Sequence, residues 1–246
     1  MSTPYSEQDR QQTEKAHLKA RIDLYPAFFG RKPEQISYPD SISYFQRNGE
    51  PGKIPLQLLD QCMAIDRIIR VETDCVQQGY VEYTAQERFL RSDSAKYRHI
   101  CITHFNKATA NVSELYKLKP HYFVSGYFMD EEASDLESRF VGKTHICNVE
   151  RLLRAISDGE ISYGLKDNHK NQDFITLCFE DLMAIDGIVV FRIDYECYPP
   201  QVWRPSSDKL IDINRKLDLI IQAVTKPEKI KHLGKDNIHP LFGESA

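Results

Sequence analysis

The sequence predicts one α/β domain spanning residues 1–246, in which a central mixed β-sheet is flanked by helices. Three observations predict it: a strongly helix-favouring opening from Tyr5 to Leu24, two β-rich runs at Ala64–Val71 and Tyr80–Arg91, and a second half in which capped helical stretches alternate with short apolar runs. With 246 residues, the chain exceeds the usual domain of about 100–200 residues, a length that mixed α/β folds often fill as one unit. Its 41% hydrophobic content, with thirteen Tyr and twelve Phe, supplies the bulk for a sizeable core.

Thr3-Pro4 supplies an N-cap and a first-turn proline, and the helix that follows is predicted to stop before Tyr25-Pro26. From Phe28 to Pro55, Pro33, Pro39, Gly49, Pro51 and Gly52 predict a loop-rich connection with a short strand near Ile42–Phe45. Ala64–Val71 and Tyr80–Arg91, joined by the turn-forming Thr73–Gly79, predict a hairpin, and His99–Thr103 a further strand. A cap near Ser113 opens a helix over Glu114–Lys119, followed by a strand at Tyr122–Phe128. Asn148 caps a short helix carrying Val149, Leu152, Leu153 and Ile156 and ending at Gly159; strands follow at Phe174–Phe179 and Ile188–Asp194. Pro199-Pro200, Trp203 and Pro205 mark a loop, Ser206 or Ser207 caps a final helix to Val224, and Lys226–Ala246 reads as a basic tail. The core is thus expected at about 5–128, with peripheral strands and helices over 129–225.

A formal net charge of −4 gives no global attraction to nucleic acid, so a polyanion site would have to be a local basic patch. No run of about eighteen apolar residues exists and Met1–Arg21 is polar, which predicts no membrane association and a cytoplasmic protein. The six cysteines include no C-x-x-C pair and read as free thiols. His99-Ile-Cys101 and His145-Ile-Cys147 each place two potential zinc ligands on one strand face, against the alternative of ordinary core packing. The phosphate-loop, dinucleotide, nucleophile-elbow and H-E-x-x-H motifs are absent, which argues against those enzyme classes.

The candidate chemistry sits in the hairpin. Asp66 lies among Ile65, Ile68 and Ile69, where an unpaired carboxylate is costly to bury, so it needs a partner or a cation. On the next strand Gln86 and Arg88 share one face and Glu87 takes the other. Arg88, Arg91, Lys96, Tyr97 and Arg98, with Lys117 and Lys119 beyond, form a local basic stretch able to contact phosphates or simply to face solvent. Lys226, Lys229, Lys231 and Lys235 add charge in the tail, and Trp203-Arg204 offers a stacking platform or a core anchor.

The order helix, hairpin with Asp66 on one strand and Gln86-x-Arg88 on the next, then a helix with Ser113-Glu114-Leu115-Tyr116-Lys117, resembles the core of the PD-(D/E)XK, restriction-endonuclease-like nucleases over roughly Tyr5–Phe128. The resemblance implies a metal-dependent endonuclease cleaving DNA rather than RNA, using Mg²⁺ or Mn²⁺, in phage defence or mobile-element biology, with a homodimer suited to double-strand cutting. It implies Asp66, Gln86 and Arg88 as catalytic residues; Asp66, Glu14 and Asp60 as metal ligands, with Asp23 behind Glu14; and Arg91, Lys96, Arg98, Lys117 and Lys119 as nucleic-acid contacts.

The sequence departs from that pattern in two places. Gln86 offers a neutral oxygen where the family has a carboxylate, and Arg88 replaces a lysine, so it stabilises phosphate charge but cannot act as a base. Glu87 or Glu82 becomes the ligand instead if a bulge reverses the strand's alternation. Asp66 and Arg88 could also simply pair across the hairpin, and the fold could serve as a catalytically inactive module for nucleic-acid binding or protein assembly.

Overall fold

A computed structural model describes residues 7–45, 51–106, 113–129, 138–168 and 172–205. Apart from Pro205, the described residues all belong to one compact unit that ends at Arg204. The expected final helix to Val224 and the basic tail lie outside the described residues.

The opening helix is longer than expected. Helix α1 (Glu7–Lys19) widens into a π-helical turn at Ala20–Leu24 and continues as α2 (Tyr25–Phe29), straight through Pro26. Within the wide turn the Tyr25 N–H reaches back to the Ala20 carbonyl, and Pro26 falls in the first turn of the next segment, where its missing N–H costs little. The helix stops at Gly30, whose φ of 62° suits glycine and whose N–H returns to the Pro26 carbonyl. Ala16, Ala20, Leu24 and Tyr25 form the buried stripe.

Strand β1 (Ile36–Ser37) follows, then a ribbon of β2 (Ser41–Phe45) and β3 (Pro51–Pro55), and helix α3 (Leu56–Met63). Ala64 ends α3 in the left-handed region at φ 51°, its N–H on the Asp60 carbonyl at 3.1 Å. The strand expected from Ala64 therefore begins later, as β4 (Arg67–Glu72). Strand β5 (Tyr80–Arg91) occupies the predicted span, and Thr73–Gly79 forms the turn between them, closed by Thr73 N–H to the Gly79 carbonyl at 3.0 Å.

A 3₁₀ segment (Ser92–Tyr97) leads to β6 (His99–Asn106). A single-turn α4 (Glu114–Lys117), shorter than predicted, precedes β7 (Tyr122–Met129) and β8 (Arg139–Asn148). Helix α5 (Val149–Ser157) begins at the expected cap, with the Asn148 side chain accepting from the Arg151 N–H. The chain continues through β9 (Gly164–Asn168), β10 (Gln172–Cys178), α6 (Phe179–Ala184), β11 (Val189–Asp194) and β12 (Gln201–Trp203).

These strands make a seven-stranded mixed sheet in the order β1-β4-β5-β7-β8-β11-β12 and a three-stranded sheet in the order β6-β10-β9. Only the β5–β7 pair of the large sheet is parallel. A parallel pair needs a long crossover, and the segment holding β6 and α4 supplies it. Strands β8, β11 and β12 extend the large sheet beyond β7. One face of the sheet packs on α1 and α2 through Ala85, Val124, Phe128, Ile146 and Phe191. The other, through Phe123, Tyr127 and Cys147, packs on Ile100, Ile102, Ile175 and Leu177 of the small sheet and on Leu152 and Leu182. No described helix is long and apolar enough to cross a membrane.

Candidate functional site

The β4–β5 ladder decides which side chains meet. Arg67 pairs with Ala85 and Ile68 with Thr84, so Asp66, one step before the ladder begins, stands opposite Gln86. Its N–H donates to the Ala85 carbonyl and its Oδ2 accepts from the Glu87 N–H, both at 2.9 Å. Strand alternation puts Gln86 and Arg88 on one face, and the Asp66 charge is close enough to act on Arg88. Strand β5 keeps an unbroken register with β4 and with β7 over its paired residues, so no bulge turns Glu87 or Glu82 towards them.

This face looks at β6 and α4. Arg88 forms an ion pair with Glu114, the first residue of α4, and the same Glu114 Oε2 accepts from the Thr103 N–H at 3.0 Å. The Arg88 side chain is 32% exposed and that of Glu114 9%. Four buried atoms here lack a hydrogen-bond partner: Gln86 Oε1, Arg88 Nε, Ser113 Oγ and Glu114 Oε1. Each such atom costs about 1–3 kcal/mol, so this concentration of unmet polar groups is what a binding site would relieve.

Burial pushes the Asp66 carboxyl up to about 7; the Glu87 N–H acts in the opposite direction, while the negative charges of Glu87 and Asp60 add to the rise. Burial opposes the charge on Arg88, but Glu114 holds its pKa above the ordinary value. Sequence reasoning used Glu114 only as a helix start. Its role as the partner of Arg88 depends on the crossover that returns α4 to β5, which no local pattern announces.

Glu87 serves the opposite face. Its carboxylate is fully enclosed, accepts from the Tyr25 hydroxyl and from Arg67 Nη2 at 3.0 Å, and is bonded to His17 Nδ1. Although burial favours protonation, the His17 hydrogen bond and the Arg67 charge outweigh it and hold the carboxyl down at about 2. Glu82 is likewise engaged, by Arg70 at 2.6 Å.

The remaining predicted residues are dispersed. Asp60 is exposed on the last turn of α3, close enough for its charge to act on Asp66. Glu14 instead lines a hollow on the helix side with His17, Leu18, Arg21 and Arg67. Asp23 is occupied by Lys19 at 2.7 Å. Arg91, Lys96, Arg98 and Lys119 are exposed; Arg98 lies 3.6 Å from Glu180, and Lys117 Nζ donates to the Gln61 carbonyl at 3.1 Å. Arg204 donates from Nη1 to the Phe28 carbonyl at 2.9 Å and from Nη2 to that of Ala27, satisfying the end of α2 rather than offering a stacking platform.

The two His-Ile-Cys pairs occupy different sheets: His99 and Cys101 on β6, His145 and Cys147 on β8. His145 is fully buried and stacked on Phe179 with ring centroids 4.0 Å apart; burial, with Arg192 and Lys143 nearby, drops its pKa to about 3. Burial pushes the Cys147 thiol up to about 12. Among the described residues no three His, Cys, Asp or Glu side chains form a group that could hold a metal.

No family model, curated protein or solved structure matches this chain.

Proposed function

We propose that this chain is a nuclease-fold protein whose Asp66, Gln86, Arg88 and Glu114 act on the phosphodiester bonds of nucleic acid, DNA rather than RNA, with Mg²⁺ or Mn²⁺ as cofactor. The observation that carries the reading is the cluster around Arg88: an acid from the hairpin's entrance whose charge acts on it, an amide from its own strand face and an acid from the crossover helix, set among unmet polar atoms. The order of helix, antiparallel hairpin, crossover helix and parallel strand supports it further.

The donor set suits a hard divalent cation in kind. Asp66 and Glu114 are carboxylates, and Gln86 Oε1 and Glu114 Oε1 are oxygens without a protein partner. It is sparse in number, because the described residues hold no three-ligand group of His, Cys, Asp or Glu. Asp66, Glu114 and Gln86 would hold the ion, which when bound supplies an activated water and a Lewis acid at neutral pH. Arg88 exchanges its Glu114 contact for phosphate oxygens, for which its planar fork is suited. Gln86 orients water or phosphate through its amide, and Arg91, Lys96 and Arg98 lie beyond the same strand, where a polyanion would pass. Two copies would act together on a duplex.

The test is a cleavage assay on supercoiled, linear and single-stranded DNA and on RNA with Mg²⁺ or Mn²⁺. Metal-dependent cutting by the wild-type chain that is lost in Asp66→Ala is expected. Absence of cutting on every substrate, or cutting unaffected by Asp66→Ala, overturns the proposal.

One observation favours a second reading, a catalytically inactive module. Arg88 already has its counterion in Glu114 and the acids number two, which is what a retired site would retain. Mn²⁺ titration with thermal unfolding separates the two: a working site is stabilised by the ion and a retired one is not.

A further inference from the structure

The opposite face of β5 carries a second polar centre whose geometry stands independently of any nuclease activity. Glu87 lies at its base, with no exposed side-chain surface, held by Tyr25, His17 and Arg67. Above it opens a hollow of about 310 Å³ lined by Glu14, His17, Leu18, Arg21 and Arg67. Helical spacing puts Glu14, His17, Leu18 and Arg21 on neighbouring turns of one helix face, while Arg67 rises from β4 beside them.

The charges around this hollow are unequal in their engagement. The Glu87 carboxylate is matched by Arg67. His17 has Nδ1 committed to Glu87, which orients the ring and leaves Nε2 for a ligand. Arg21 makes no ion pair with a described residue; its guanidinium lies 5.3 Å from the centre of the Tyr38 ring, and its Nε is buried without an acceptor. Arg67 Nε is also buried without one. Burial lowers the Arg21 pKa and the nearby Arg67 charge lowers it further, while the Glu87 charge acts the other way, and the two guanidiniums border the same hollow. Glu87 offsets part of this charge, and an anion in the hollow between the two guanidiniums would offset more of it.

We infer that this hollow binds a phosphate group, as inorganic phosphate or as a phosphomonoester, between Arg21, Arg67 and the Nε2 of His17. Two guanidinium forks from two elements suit a tetrahedral oxyanion, with His17 Nε2 placed to accept from a phosphate hydroxyl, whereas a planar carboxylate would engage only one fork. Leu18, 55% exposed at the rim, gives an esterified organic group an apolar surface to rest on. Glu14 at the rim repels the ligand and limits its affinity, which gives the proposal a signed test.

The experiment is isothermal titration calorimetry on the full chain in low-salt buffer free of phosphate and divalent metal, so the outcome does not depend on cleavage. The probes are inorganic phosphate, a nucleoside 5′-monophosphate, and DNA oligonucleotides with and without a 5′-phosphate. One saturable phosphate site is expected, weakened at least about tenfold in Arg21→Gln, where a charge-assisted hydrogen bond is lost. Binding should tighten in Glu14→Gln. Tighter binding of the monophosphate or the 5′-phosphorylated DNA identifies a phosphomonoester as ligand; equal affinity identifies free phosphate. The proposal is overturned if no probe binds saturably below about 10 mM, or if a folded Arg21→Gln protein, verified by circular dichroism, binds as well as wild type.

Discussion

Replacing Asp66 by Asn should make the protein more stable at alkaline pH than the native chain. The asparagine keeps an oxygen to accept from the Glu87 N–H and removes the charge. The folded carboxyl lies at about 7 against an ordinary 3.8, a gap worth about 4 kcal/mol if fully expressed, and about 2–4 kcal/mol once partial access to solvent is allowed for. The folded state binds this proton more tightly than the unfolded state. Its stabilising contribution is therefore complete below about pH 4, declines as pH rises, and is lost above 7. His145 acts in the opposite sense, since its pKa is depressed to about 3 and the stability linked to its neutral form is lost as pH falls below the ordinary 6.5. The difference between wild type and Asp66→Asn isolates the carboxyl. Urea unfolding at pH 5, 6.5 and 8 should show that difference growing with pH in favour of the variant. A variant that is less stable at every pH, or a difference independent of pH, would refute the claim that Asp66 is held against ionisation.

Two further predictions concern packing and charge. Glu87→Gln should cost about 3–5 kcal/mol in urea unfolding at pH 7, because it leaves the Arg67 guanidinium buried without its counterion; a loss under about 1 kcal/mol would show that His17 and Tyr25 need no carboxylate. In the native protein that carboxylate's contribution, with its pKa at about 2, is present above pH 4.5 and lost only as pH falls through 2. Gly126→Ala should cost about 1–3 kcal/mol, since its Cβ would lie 2.7 Å from Thr144 Oγ1 where β7 and β8 shift register. The double variant with Thr144→Ala should recover part of that loss, and additive effects in the double-mutant cycle would count against the clash.

The most legible element was the longest run free of glycine and proline between turn signals. Strand β5 occupies its predicted bounds because Tyr80–Arg91 has no glycine or proline and turn formers precede it. Legibility fell where a local signal had two meanings. The β-branched neighbours of Ala64 read as strand, yet Ala64 closes α3 in a left-handed conformation, which alanine composition does not advertise. Pro26 read as a helix stop, yet a widened turn passes it. Pro51 and Pro55 read as loop because central strands exclude proline, but a two-stranded ribbon has free edges that admit it.

The site divides along the same line. Residue parity on β5 placed Gln86 and Arg88 together and Glu87 apart, and hydrogen bonds to Ala85 and Glu87 hold Asp66 at the end of the ladder. Glu114 and His17 could not be found that way, because each reaches β5 from a distant element: Glu114 lies 26 residues from Arg88, and His17 lies 70 from Glu87. Two adjacent residues of one strand thus anchor ionic networks on opposite faces of the same sheet. Burying ion pairs is a weak way to gain stability, because desolvation cancels most of the attraction and apolar side chains of similar volume often do as well. A chain selected for packing alone would have had little reason to keep carboxylates, guanidiniums and unmet polar atoms on both sides of β5. On one face Asp66 is held against ionisation and Glu114 pairs with Arg88. Arg21, Arg67 and His17 offer guanidinium and imidazole nitrogens around a hollow that Glu14 also lines, a different set of groups from those on the other face.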